Sequence, residues 1–437
     1  MQGRAGPAPG GGIITSQSPP FTVPIRYMML GVICFGLFAI DLAFQAIGLA
    51  QGNPGAPAIV ALTHLLTLGA LLSFVMGAVY QMTTVAFLVP IASVRAARWN
   101  FWLYLTALAG LFASMSRWWP LGFLIFGFLM VAAVYTYAIV LIISLWKTTI
   151  RGPMFGFIVS AHVYLILAVS VAVLLVLVDS NAAPALNNAM GQLIATHILL
   201  AVGGFFTFLV MGFSFKLLPM FTLSHGFATH RQKWTFILAH LALWLLIGGV
   251  WAHVDAMTWV GIACGLSAFA SQLFDVRGIL KKRMRKKIEP PIRAVVSAVV
   301  GAIIGLCLLL VQVELRGGQG GWQSVILFYL LGTITFTVMG FAYKIVPFLV
   351  WSQRYSKTTA NQKPILISDL IHLNRAWPVL IAYVAGLIIL TESSATRWGI
   401  GSYSGTILIA VAILAFCGQI LRVINPQKVR KELLNHD

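Results

Sequence analysis

One phrase recurs three times along this chain of 437 residues, each time toward the inner end of a long apolar stretch: Met76-Gly77-Ala78-Val79-Tyr80, Met211-Gly212-Phe213-Ser214-Phe215-Lys216 and Met339-Gly340-Phe341-Ala342-Tyr343-Lys344. A glycine stands seven residues ahead of each methionine, at Gly69, Gly204 and Gly332. The methionines lie 135 and 128 residues apart, counting from 76 to 211 and from 211 to 339. That period is about four membrane-crossing helices of ~20 residues with their loops, and the chain is long enough for about three such units. Two copies carry a histidine upstream, His64 and His197, and the third carries none.

Composition says what solvent such a repeat meets. Hydrophobic residues make up 59% of the chain and charged residues 9%, which excludes an ordinary soluble domain and points to a multi-span membrane protein. Hydropathy predicts twelve spans, near residues 26–50, 57–92, 98–116, 119–146, 153–178, 187–221, 233–254, 256–276, 292–314, 322–351, 377–392 and 401–423. Each must be helical, because lipid satisfies no backbone polar group. The expected fold is therefore all-α: a polytopic bundle of twelve transmembrane helices in a pseudo-threefold arrangement of four-helix arcs. Spans 2, 6 and 10, which carry the repeat, are the longest and are expected to tilt or to project past the interface.

A net charge of +19 can signal nucleic acid, but its placement signals topology and no nucleic-acid partner. With the N-terminus inside, every Lys and Arg except Arg117, Arg316 and Arg397 falls on the inner side, which the positive-inside rule reads as cytoplasmic termini in a bacterial-type inner membrane. The densest run, Lys281-Lys282-Arg283-Met284-Arg285-Lys286-Lys287, lies between spans 8 and 9 and suits anionic lipid. Residues 1–24, rich in Gly, Pro and Ser, are expected to form a disordered cytoplasmic tail without a signal peptide's apolar stretch. Residues 25–425 then form a single transmembrane domain and 426–437 a basic cytoplasmic tail. Cys34, Cys264, Cys307 and Cys417 all fall inside spans with no paired spacing, as small packing residues do.

Chemistry is expected from polar groups that lipid should exclude. His64 and His197 lie at comparable depth, roughly 10 to 15 Å below the outer surface at 1.5 Å per residue, and each follows a threonine. His253 joins them at the outer end of span 7, whereas His162 and His240 lie nearer the midplane or inner half. Imidazole is a common axial ligand of heme iron and suits copper equally, while a buried neutral histidine can also simply bond a carbonyl of a neighbouring helix. Asp41, midway along span 1, costs at least ~2.5 kcal/mol as a carboxylate in lipid, so it should be neutral, paired, or part of a proton path with His162 and His240. Lys216 and Lys344 are expected at the inner interface as snorkelling anchors. The repeated methionines and glycines read as close-packing residues between helices.

Twelve helices in three arcs, long helices 2, 6 and 10, and a histidine in the outer half of helix 2 resemble subunit I of the heme-copper oxidases. The resemblance implies that His64 binds a low-spin heme and that His197 and His253 match part of a copper site. It also implies that Arg397, between helices 11 and 12, contacts heme propionates, and Ser116-Arg117-Trp118-Trp119-Pro120 is similar to that family's tryptophan-containing outer loop. The chain departs from the pattern in helix 10, which has no histidine, and in helices 6 and 7, which lack the His-Pro-Glu-Val-Tyr type of sequence and the paired histidines. A second resemblance, to the NnrS family of heme- and copper-containing membrane proteins linked to nitric oxide stress, rests on the start of helix 2 and on His197 followed by Gly203-Gly204.

These resemblances imply a protein of respiratory or nitric-oxide metabolism that carries heme b through His64, with His197 and His253 serving a second heme or copper. Arg117 and Arg397 would hold propionates, and the task would be electron transfer or small-gas binding without a complete oxygen-reducing centre. Quinol, cytochrome c or another respiratory subunit would be partners beside the lipid bilayer. A proton-coupled transporter suits twelve spans and Asp41, although such carriers commonly repeat in halves. A cofactor-free assembly partner of a respiratory complex suits the missing ligands of helix 10.

Overall fold

The computed structural model describes residues 17–315, 321–356 and 365–425. Most of the expected N-terminal tail, the C-terminal tail and Arg316 therefore lie outside the described residues. Twelve long helices run in order: α1 (Thr22–Phe44), α2 (Pro57–Phe87), α3 (Val94–Arg117), α4 (Pro120–Trp146), α5 (Pro153–Asp179), α6 (Pro184–Thr222), α7 (Gln232–Ala252), α8 (Asp255–Lys281), α9 (Pro290–Leu315), α10 (Trp322–Arg354), α11 (Ala376–Thr396) and α12 (Gly399–Ile424). Among the described residues no strand forms, and the protein is an all-α polytopic membrane protein. Eleven of these helices are long and apolar enough to cross a membrane. The other, α3, has the length at 24 residues but carries Arg95, Arg98, Asn100 and Arg117 toward its ends. The first predicted span is shortened, because α1 stops at Phe44, the chain bends at Gln45, and a six-residue helix, Ala46–Gln51, follows.

Consecutive helices pack against one another and α12 returns to α1, so the sequence of helices closes into a ring. Arg354 at the end of α10 reaches both the ring of Phe21 and the carbonyl of Ile424, which places the start of α1 and the end of α12 on one face, the inner face below. Within the ring, α2 and α6 are the most enclosed together with α10: 72%, 67% and 67% of their most apolar stretches are buried, against 22% for α8. The repeated helices are thus the centre of the molecule, and the second half of α10 touches both of the others.

The repeat has two structural consequences, and each occurs in triplicate. The glycine of each Met-Gly pair is where the preceding helix crosses. A Cβ on Gly77 would collide with the Pro24 carbonyl of α1, one on Gly212 would stand 2.7 Å from Phe157 of α5, and one on Gly340 2.8 Å from the Pro291 carbonyl of α9. Close approach of this kind maximises dispersion contact where lipid gives no hydrophobic drive for helix association. The glycine seven residues earlier lies in a π-helical segment: Leu65–Leu72 in α2, Leu199–Phe206 in α6 and Tyr329–Thr335 in α10. A hydroxyl near the inner end of each segment donates to the carbonyl five residues back, Ser73 to Leu68, Thr207 to Val202 and Thr335 to Leu330. In an ordinary turn the same bond goes four back, as from Thr63 to Ile59.

The outer hairpins repeat as well. The α3–α4, α7–α8 and α11–α12 corners each turn through a left-handed residue, Trp118, His253 or Arg397, with φ of 49°, 54° and 58°, followed by an extended one. The next amide donates five residues back in each case, to the carbonyls of Ser114, Gly249 and Ser393.

Candidate functional site

The π segments mark a change in how the central helices are covered. From the glycine within each segment inward, Gly69 to Phe87 in α2 and Gly204 to Leu209 in α6, every residue is buried. Outward of that point half-buried positions return on both helices, at His64, Thr67 and Leu68 in α2 and at His197, Ile198 and Leu199 in α6. His64 directly precedes the π segment of α2, and His197 stands two residues ahead of the one in α6.

Here the structure brings two predicted residues together. The His64 and His197 rings lie with centroids 6.2 Å apart and planes 18° from parallel. His64 Nδ1 is 2.8 Å from the Val60 carbonyl one turn back on α2, and His197 Nδ1 is 3.0 Å from the Ala168 carbonyl on α5. A carbonyl can only accept, so Nδ1 carries a proton in both rings; in the neutral form that burial within a membrane favours, Nε2 keeps its lone pair, and among the described residues nothing bonds it. Metal-binding histidines are oriented in this way, with the far nitrogen donating to a carbonyl or carboxylate.

The spacing fits one metal centre between the rings. Two imidazoles binding one ion from opposite sides through Nε2, with metal–nitrogen bonds of about 2.0 Å and about 1.15 Å from each nitrogen to its ring centre, hold their centroids roughly 6.3 Å apart. Among the described residues no group of three His, Cys, Asp or Glu converges to hold a bare metal ion. Two imidazoles would instead suit a metal that arrives in a planar macrocycle with nitrogen ligands of its own.

The remaining candidates are placed elsewhere. His253 sits exposed at the α7–α8 corner, 3.2 Å from Gln192 at the outer end of α6, and does not join the pair. Together with the Trp251 indole, which donates to Thr196, it ties α7 to the turn of α6 that carries His197. His162 is fully buried with both nitrogens engaged, Nδ1 donating to Ile158 and Nε2 accepting from the Tyr137 hydroxyl of α4. His240 donates to Phe236 and accepts from Ser160 of α5. Asp41 lies in the last turn of α1, where Gln45 donates to its carboxylate. His162 and His240 engage α4 and α5 respectively, and Asp41 a residue of its own helix, so the structure does not join these three into one path. Arg117 and Arg397 are exposed at two outer corners, and among the described residues no carboxylate pairs with either.

Residues that bear on the site and were not anticipated are the hydroxyls bracing the π segments. Tyr104 of α3 donates to the Leu68 carbonyl at 2.6 Å, Tyr383 of α11 to Leu331 at 3.0 Å, and Tyr329 of α10 meets Thr207 of α6 at 2.6 Å. Three tyrosines in predicted spans, two of them fully buried, were the signal, since a phenol in lipid usually answers a specific acceptor. Comparison with known protein families and with curated proteins finds no match for this chain.

Proposed function

We propose that this protein carries one b-type heme between α2 and α6, with His64 and His197 as its two axial ligands, and that it serves electron transfer in a respiratory or nitric-oxide-related chain. The observation that carries the reading is the pair itself: two neutral, carbonyl-oriented imidazoles at the separation a shared metal requires. When bound, heme iron supplies one-electron chemistry. The protein's part would be to present both Nε2 lone pairs and to keep the tautomers fixed through Val60 and Ala168. Arg117 and Arg397 are the outer cations suited to propionates. Of the two resembled families, oxidase subunit I is matched by the position of His64 in the outer half of the second helix, while the absence of a histidine from α10 departs from it. A bacterial-type cell membrane with cytoplasmic termini is the setting that the charge placement supports.

The test is an optical spectrum with heme quantification on the purified protein. We expect one heme b per chain, low-spin, lost to below about a tenth in either His64→Ala or His197→Ala. Two hemes per chain, or single variants that each keep half, would contradict the shared site. A colourless protein would leave the transporter or the cofactor-free assembly partner.

A further inference from the structure

At the inner ends of α1 and α3 an open cavity of about 600 Å³ is lined by Arg26, Val94, Arg95, Arg98, Trp99 and Trp102. Three arginines and no carboxylate are among its lining residues, and none of the three forms an ion pair within the described residues. Arg95 and Arg98 belong to the opening turn of α3, whose N-cap Ser93 already accepts from the Ala96 amide. The helix dipole presents its positive end at that turn, so cations there add to a field that disfavours them. All three arginines are exposed, and an anion between them would relieve their mutual repulsion at this positive helix end.

We propose that this cavity binds the phosphate headgroup of an anionic phospholipid. Basic pockets between transmembrane helices near the membrane surface recognise such headgroups, and guanidinium matches phosphate oxygens two at a time. The walls choose the lipid over soluble phosphate. Trp99 and Trp102 are 69% and 54% exposed at the level where aromatic belts meet headgroups, giving apolar surface that a free ion has no use for.

The molecule contains its own control. Pro24-Ile25-Arg26 at the start of α1 recurs as Pro291-Ile292-Arg293 at the start of α9. In the second copy the arginine is occupied: its guanidinium lies 5.4 Å over the Trp377 ring, and Nε donates to the Ile288 carbonyl at 3.1 Å. Arg26 has neither partner and faces the cavity instead. The inference is independent of the heme.

The experiment is native mass spectrometry of the full chain after exchange through vesicles of equal phosphatidylglycerol and phosphatidylcholine. Retention of phosphatidylglycerol is expected to exceed that of phosphatidylcholine at least tenfold. In Arg95→Gln/Arg98→Gln the preference should fall to within twofold of none, whereas Lys281→Gln/Lys282→Gln, which removes the same charge elsewhere on that face, should keep it. Equal loss in both variants, or no loss in the first, overturns the site in favour of general surface charge. Displacement of the retained lipid by millimolar inorganic phosphate overturns the lipid assignment. If the glutamine pair does not insert, Arg95→Lys/Arg98→Lys keeps the charge and should still lose at least threefold of the preference; full retention overturns the guanidinium contacts.

Discussion

The five intramembrane and interfacial histidines differ by what their nitrogens already do. His64 and His197 each have Nδ1 on a carbonyl and Nε2 unclaimed, while His162 and His240 have both nitrogens engaged. Depth along the helix, which the sequence supplies, singled out the pair. The free nitrogen is a matter of rotation about the helix axis and of which carbonyl lies opposite. The same distinction yields a prediction: His162→Phe should leave heme content per folded chain unchanged and lower stability by about 1–3 kcal/mol, because the Tyr137 hydroxyl loses its acceptor inside the protein. Thermal melting and the heme-to-protein ratio check it, and loss of heme in this variant would place His162 at the cofactor.

At the level of single elements, the Met-Gly phrase was legible as close packing, and the contacts of Gly77, Gly212 and Gly340 with α1, α5 and α9 bear that out. Gly77→Ala is expected to destabilise by about 1–3 kcal/mol through overpacking against Pro24. Gly191→Ala is the control: nothing lies within 4 Å of its added Cβ, and the variant should melt no lower than the parent because alanine favours a helix. The π segments were not anticipated; a hydroxyl of the same helix bonds a displaced carbonyl in each, and tyrosines of α3 and α11 donate to carbonyls of two of them. Tyr104→Phe should therefore speed amide exchange across residues 65–73 while costing only about 0.6 kcal/mol globally, a typical membrane-interior hydrogen bond. Unchanged exchange there would mean that the segment holds its shape without the tyrosine.

For the molecule as a whole, the inner face is where charge and packing meet. Lys344 was expected to snorkel into water. Its depth is near the interface, but its side chain is 9% exposed and its ammonium pairs at 2.5 Å with Glu289, which also binds Arg285 at 2.6 Å. The pair fastens the start of α9 to the central α10. Glu289→Gln should cost about 3–5 kcal/mol by leaving a buried ammonium without its acid, and Glu289→Gln/Lys344→Met should recover much of the loss. Denaturation midpoints of the two variants decide it, and equal stability would reduce the pair to a surface contact. Topology is checked by impermeant thiol labelling of intact cells: Arg117→Cys should label from outside and Lys282→Cys only after lysis, the reverse pattern sinking the cytoplasmic assignment of the termini.

Hydropathy alone determined that the chain is helical and spans a membrane about twelve times, because backbone polar groups in lipid leave no other choice, and the recurring phrase determined which three helices share a role. Only the tertiary structure decided that the His64 and His197 rings lie 6.2 Å apart, that His253 stands apart from them, that Lys344 turns inward to an acid, and that Arg26, Arg95 and Arg98 line one cavity without one. Spacing along a helix sets depth, which one dimension records. Which face of a helix meets which neighbour depends on packing among all twelve, and on π turns that rotate the face again, so it exists only once the bundle is assembled.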